Sequence, residues 1–209
     1  MTDTTSPASH GTLLILCGPS GVGKSTLGAA VRHARPSLSL SVSCTTRPIR
    51  SGERDGVDYS FLSREEFVAR RDNGAFAEWA EVHGNLYGTP RAEVERAWHV
   101  DLDLLFDIDY QGAQQLIEVY PKACATVLVA PPSMAALESR LLGRGTDSAD
   151  VVRRRLDAAR HELEQHALFD HLIVNDDLER AVASLTAIYD AARLRMSTRR
   201  HALEAILGG

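Results

Sequence analysis

Residues 12–35 read TLLILCGPSGVGKSTLGAAVRHAR. A short apolar run from Thr12 to Cys17 breaks into glycines and resumes at Lys24 with helical spacing, the pattern of strand, loop and helix. Between them, Gly18-Pro19-Ser20-Gly21-Val22-Gly23-Lys24-Ser25 satisfies G-x-x-x-x-G-K-[ST] at every fixed position, in the strand-to-helix setting where that motif cradles phosphates. The glycines let consecutive backbone N–H groups converge on phosphate oxygens, Lys24 places a point charge on the outer phosphates, and the Ser25 hydroxyl is suited to ligate Mg2+. The helix N-terminus adds partial positive charge. Residues 18–26, Thr26 included, are therefore read as holding a nucleoside triphosphate with magnesium.

Beyond this stretch, apolar runs at 101–109 (DLDLLFDID), 123–129 (ACATVLV) and 172–174 alternate with helical patterns at 111–119, 134–142 and 178–207. Apolar strands alternating with helices point to an α/β fold, a parallel sheet of the P-loop type flanked by helices on both faces. Two stretches break the alternation. Residues 39–90 carry short extended runs, turn glycines and aromatic residues around one helix opened by the capping box Ser63-Arg64-Glu65-Glu66, which reads as an inserted mixed α+β subdomain. Residues 140–160 carry Gly143 and Gly145 and an arginine-rich helix with few apolar residues to anchor it, which reads as a helical lid. The core domain is then 11–38, 91–139 and 161–209, behind a disordered tail at 1–10.

Composition narrows the chemistry. The chain has 209 residues, a formal net charge of −5 and ordinary globular proportions of apolar and charged residues, which argues against nucleic acid as the main partner. No apolar run approaches the ~20 residues that span a bilayer, so no membrane role is expected. Cys17, Cys44 and Cys124 are far apart with no C-x-x-C spacing, which favours a reducing, cytoplasmic setting. Of the 23 basic residues only Lys24 and Lys122 are lysine, and the first falls where the phosphate loop requires one.

What is done with the triphosphate rests on further motifs. Asp109-Tyr110-Gln111-Gly112 matches the D-x-x-G of regulatory GTPases, yet the chain lacks N-K-x-D, and a helicase-type ATPase would be longer; a small-molecule phosphotransferase is favoured. SCTTRPIRSGERDGVDY at 43–59, AFAEWAEVHGNLYGTP from Ala75, FDIDYQGA from Phe106, RLLGRGTDS from Arg140 and VNDDLERAV from Val174, together with the phosphate loop, closely resemble the guanylate kinases, collinearly from about residue 11 to residue 190.

The resemblance implies transfer of the γ-phosphoryl of ATP to GMP, and to dGMP, with ATP and GMP as small-molecule partners and Mg2+ as cofactor. It implies that Arg47, Arg50, Tyr59 and Tyr87 hold the GMP phosphate; two arginines three apart and two phenols can converge on a dianion. It implies that Glu78, Ser43, Thr89 and Asp109 read guanine, that Asp107 at a strand end orients magnesium with Ser25 beside the acceptor, and that Lys24, Arg47, Arg140, Arg144 and Arg155 act on the transferring phosphoryl group. Asn175 falls at the adenine-side loop. The family's pattern is departed from at Leu86-Tyr87, where many members have two tyrosines, and at Pro48-Ile49. A noncatalytic scaffold module of the same fold and a kinase for another base are the alternatives; an intact phosphate loop speaks against the first and Glu78 against the second.

Overall fold

The computed structural model describes residues 11–82, 84–143 and 148–208. Its main sheet is all parallel, in the order β2 (Leu38–Leu40), β7 (Asp103–Asp107), β1 (Leu13–Cys17), β8 (Cys124–Ala130) and β9 (His171–Val174). β1 lies at the centre and all five of its residues are buried. The two-residue period of a strand sends Leu14 and Leu16 to one face and Leu13, Ile15 and Cys17 to the other. The first face packs on α1 (Lys24–Ala34) and α7 (Leu178–Arg193), the second on α3 (Arg91–His99) and α4 (Tyr110–Val119). Burial on both faces explains why the strands read as continuous apolar runs rather than alternating ones.

A second, four-stranded sheet forms the insertion, in the order β4 (Ser60–Phe61), β3 (Cys44–Thr45), β6 (Asn85–Pro90) and β5 (Phe76–Val82). Its helix α2 (Arg64–Asp72) begins as the capping box requires, Ser63 Oγ accepting from the Glu66 N–H at 3.0 Å. Phe67 of that helix stacks on Phe76 at 4.4 Å between ring centres, with Cys44 and Leu86 completing a small separate core.

The remaining helices are α5 (Met134–Leu142), α6 (Ala149–Glu164) and α8 (Met196–Leu207). α6 is better anchored than its arginines suggest: Val152, Leu156 and Ala159, at helical spacing, pack on Leu137 and Leu141 of α5. β2 continues to Leu40 because its pairing with β7 runs to Leu40 opposite Leu105. The pattern at 178–207 reads as one helix but folds as two, with Arg195 extended between them. The Arg195 guanidinium donates to the Cys124 carbonyl at 2.6 Å and Ser197 Oγ to the Lys122 carbonyl at 2.9 Å, bonds a straight helix would not bring to the start of β8.

Asp103, a strand acid with no motif around it, ties the fold together. Its buried carboxylate accepts from the Thr12 N–H at 2.6 Å and the Tyr189 hydroxyl at 2.7 Å, and Arg193 Nε lies 2.9 Å away. Asp103→Ala leaves the Thr12 N–H without its buried acceptor and the Tyr189 hydroxyl with only the Ser37 hydroxyl, 3.1 Å away, an expected loss of ~2–4 kcal/mol. At this size that lowers the calorimetric midpoint by roughly 5–15 °C. A fall of under about 2 °C contradicts the assignment.

Candidate active site

The carboxyl ends of β1 and β7 open into a cavity of about 660 Å3 whose wall is completed by the second sheet. Gly18, Pro19, Ser20, Gly21, Gly23, Lys24, Ser25 and Thr26 line it from one side. Ser43, Tyr59, Glu78 and Tyr87 line it from the other, with Asp107 and Asp109 between. A parallel sheet with helices on both faces places binding groups at this end of the strands, where the loops leave them.

Gly23 is the N-cap of α1 and adopts φ 102°, in the left-handed region that glycine enters freely. α1 has no side-chain cap, so its first N–H groups are left for a ligand. Lys24 Nζ donates to the Gly18 carbonyl at 2.6 Å and lies 3.6 Å from Asp107 Oδ1. Ser25 Oγ donates to Asp107 Oδ2 at 3.0 Å. A hydroxyl and a carboxylate so close beside a phosphate loop supply the hard oxygen donors magnesium prefers, with room for water and phosphate to complete its shell.

Across the cavity, Arg47 is buried, and its guanidinium is held by a residue that no motif singles out. Glu53 accepts from both terminal nitrogens of Arg47, at 2.8 and 2.9 Å, and from the Arg50 N–H at 2.8 Å. The Arg47 bonds and the Arg50 N–H hold the Glu53 carboxyl below the usual carboxylate range. Arg47 also sits over the Tyr59 ring at 5.3 Å, and Tyr59 meets Tyr87 edge-on at 6.1 Å. The signal for Glu53 is present in the sequence, an acid six residues after one arginine and three after another, but a turn with Gly52 is needed to fold it back. The Arg50 side chain is exposed.

Glu78 is 3% exposed and opposes Thr89 across β5 and β6. Thr89 Oγ1 donates to Glu78 Oε1 at 2.6 Å, and the Ser43 and Thr89 hydroxyls are 2.9 Å apart. Burial pushes the Glu78 carboxyl up to about 7; the Thr89 bond opposes this and the Asp109 charge adds to it. Asp109 caps α4, accepting from the Gly112 N–H at 3.0 Å. A Cβ on Gly112 would lie 2.6 Å from Glu78 Oε2. The D-x-x-G match is thus a cap plus a close approach that admits the carboxylate.

Arg140 donates to the carbonyls of Val22 at 3.4 Å and Asn175 at 2.8 Å, and Asn175 Nδ2 donates to the Val22 carbonyl at 2.7 Å. Val22 and Asn175 are buried. Arg155 lies half-buried on α6, away from the cavity wall, and Arg144 falls outside the described residues. Glu162 of α6, unmarked by any motif, lines the cavity. Burial pushes its carboxyl up to about 7, with Lys24 opposing and Asp109 adding. No helix among the described residues is long and apolar enough to cross a membrane.

The chain is similar to known proteins over most of its length. The family model described as guanylate kinase matches residues 10–192. A guanylate kinase from Chelativorans sp. (strain BNC1) is 48% identical over 96% of this chain and 91% of its own length. One from Lawsonia intracellularis is 44% identical over the whole of both chains. The crystal structure of guanylate kinase from Anaplasma phagocytophilum superposes with a TM-score of 0.73 at 32% identity, covering 94% of this chain and 95% of that one. A phosphate loop and a buried carboxylate facing one cavity, in a chain matched over nearly its full length, place this protein in the guanylate kinase family of nucleoside monophosphate kinases.

Proposed function

We propose that the chain transfers the γ-phosphoryl group of ATP directly to the phosphate of GMP, giving ADP and GDP, in the recycling of purine nucleotides. The observation that carries this reading is the shared cavity: Lys24 on one wall and Glu78 on the other leave an acceptor base and a donor triphosphate facing each other. Residues 39–90 take the acceptor and residues 140–160 close over the donor. Ser25 and Asp107 would hold magnesium, which would neutralise phosphate charge when bound. Lys24 moves its ammonium from the Gly18 carbonyl to the transferring group. Arg47, Arg50, Tyr59 and Tyr87 orient the GMP phosphate, with Arg140, Arg144 and Arg155 on the triphosphate side. None of these roles involves the ribose 2′-hydroxyl, and dGMP is proposed as a second acceptor. Three buried free thiols fit a reducing cytoplasm.

The test is ADP release from ATP, followed by a coupled assay with GMP, AMP, CMP and UMP side by side. Turnover with GMP far above the others is expected. Equal turnover with another base overturns the choice of acceptor, and none with any nucleotide points to a binding module of the same fold.

Glu53 carries a prediction of its own. Glu53→Gln removes the charge that holds Arg47 and the turn at Arg50 in place, so the phosphate-binding fork loses its preorganisation. The KM for GMP is expected to rise roughly tenfold, with kcat changed much less, the signature of weakened binding rather than weakened chemistry. A KM within about twofold of the parent contradicts a positioning role.

A further inference from the structure

Asn175 occupies a position that resemblance places beside adenine, but the structure gives its side chain a different partner. Its Nδ2 donates to the carbonyl of Val22 inside the phosphate loop at 2.7 Å. Its own backbone is fixed at both ends: the N–H donates to the Ala130 carbonyl at the end of β8 at 2.8 Å, and the carbonyl accepts from Arg140 at 2.8 Å. Arg140 reaches the same Val22 carbonyl at 3.4 Å. Asn175 is 8% exposed, and it is absent from the wall of the cavity that the loop lines.

The consequence follows from the geometry of one peptide unit. A trans peptide is planar, so the Val22 carbonyl and the Gly23 N–H point in opposite directions. Gly23 lines the cavity while the carbonyl before it is held on the buried side, which leaves the N–H directed toward the cavity. Glycine does not by itself choose this orientation, because it crosses between positive and negative φ at little cost. A flipped peptide would aim a carbonyl oxygen at the phosphates. The amide of Asn175 packs directly under this unit: a Cβ on Gly23 would lie 2.6 Å from Nδ2.

We infer that Asn175 is a positioning residue for the phosphate loop, holding the Val22–Gly23 peptide so that the Gly23 N–H meets the triphosphate, and that it acts on the phosphates rather than on the adenine. The inference rests on the reading of residues 18–26 as the triphosphate site. It also links the end of β9 and helix α5, through Asn175 and Arg140, to a single carbonyl of the loop.

Magnesium tripolyphosphate, a triphosphate chain without a base, separates the two roles. Asn175→Ala removes the donor without adding bulk, and Asn175→Leu, which keeps the branch at Cγ but is larger, repeats the test should the alanine not fold, as judged by circular dichroism. Affinities of parent and variant for magnesium tripolyphosphate and for MgATP are compared by calorimetry. The variant is expected to bind both about tenfold more weakly, the size of one hydrogen bond of about 1.4 kcal/mol. Equal affinity of parent and variant for tripolyphosphate overturns the inference, whether MgATP binding is weakened or not, and so does binding by neither. A lower melting temperature alone does not produce the expected loss in the folded protein. Turnover of GMP by the parent, measured alongside, keeps the two readings apart: a parent that ignores GMP sinks the proposed reaction, whereas a tripolyphosphate loss in the variant stands without it.

Discussion

Lys24→Met is expected to fold like the parent and to turn over at least a hundredfold more slowly. The ammonium is bound to the Gly18 carbonyl at 2.6 Å and lies 3.6 Å from Asp107, beside the loop proposed to hold the outer phosphates of the triphosphate. Phosphoryl transfer asks little covalent chemistry of the protein and depends on positioned charge, and loss of one preorganised charge or donor typically costs ~10²–10³ in kcat. Methionine keeps much of the length of the side chain and loses its charge. Lys24 is half-buried, and its hydrogen bond and ion pair are made within the loop and to Asp107, so the melting temperature is expected to move little. Single-turnover rates at saturating ATP and GMP separate chemistry from binding. A variant retaining more than about a tenth of the parent's rate, a deficit under ~1.4 kcal/mol, removes Lys24 from the reaction.

The main sheet is legible in the sequence because each of its principal strands is buried on both faces, which writes a continuous apolar run into residues 12–17 and 123–129. The phosphate loop is legible because local backbone geometry dictates glycine and lysine at fixed spacing. What stays hidden is long-range. Asp103 looks like any strand acid until Tyr189, 86 residues later, donates to it. Glu53 looks like one of many surface carboxylates until the turn brings it against Arg47. Glu162 faces Lys24 across the fold, and no periodicity records a contact between residues so far apart. The break at Arg195 escapes a reading by pattern because the apolar spacing of α7 and α8 runs through it; the bonds to Cys124 and Lys122 that bend the chain come from another strand. Glu78 is the middle case. Alternation with apolar neighbours marks it as a residue facing something, and Gly112 and Thr89 show how a carboxylate is admitted there.

Glu78→Gln is expected to collapse the preference for GMP over AMP. Guanine presents N1–H and its N2 amino group side by side, so one carboxylate accepts two parallel bonds. Adenine offers a lone pair at N1 and no amino group at C2, which sets acceptor against acceptor in a site that is 3% exposed. Sites built on polar pairing reject a mismatched substrate by ~10⁴–10⁵-fold, since the buried group is left unpaired as well as unbonded. Glutamine loses the charge on the guanine side and can donate to adenine N1. Ser43, Thr89 and Asp109 are expected to sharpen the choice without creating it.

Protonation adds a pH axis to this selectivity. If Glu78 reads guanine as proposed, the base binds the ionised form, so GMP lowers a carboxyl that burial has pushed up to about 7, and below that pH binding must expel a proton. kcat/KM for GMP therefore falls as pH drops below about 7, and the carboxylic acid, now a donor, becomes more tolerant of adenine. The glutamine side chain of Glu78→Gln has no proton to lose, so the part of the profile due to this residue vanishes in the variant while the titration of GMP's own phosphate stays.

That one cavity pairs a phosphate loop with a buried guanine-reading carboxylate is tested most directly by kcat/KM for GMP and for AMP in the parent and in Glu78→Gln at pH values on both sides of 7, with circular dichroism to establish folding. The expected result is a GMP-to-AMP ratio that drops by well over tenfold in the variant and loses its dependence on pH in the acidic limb. A ratio within about threefold of the parent, under ~0.7 kcal/mol, with an unchanged pH profile, would show that Glu78 does not read the base and that the choice of acceptor is made elsewhere in residues 39–90.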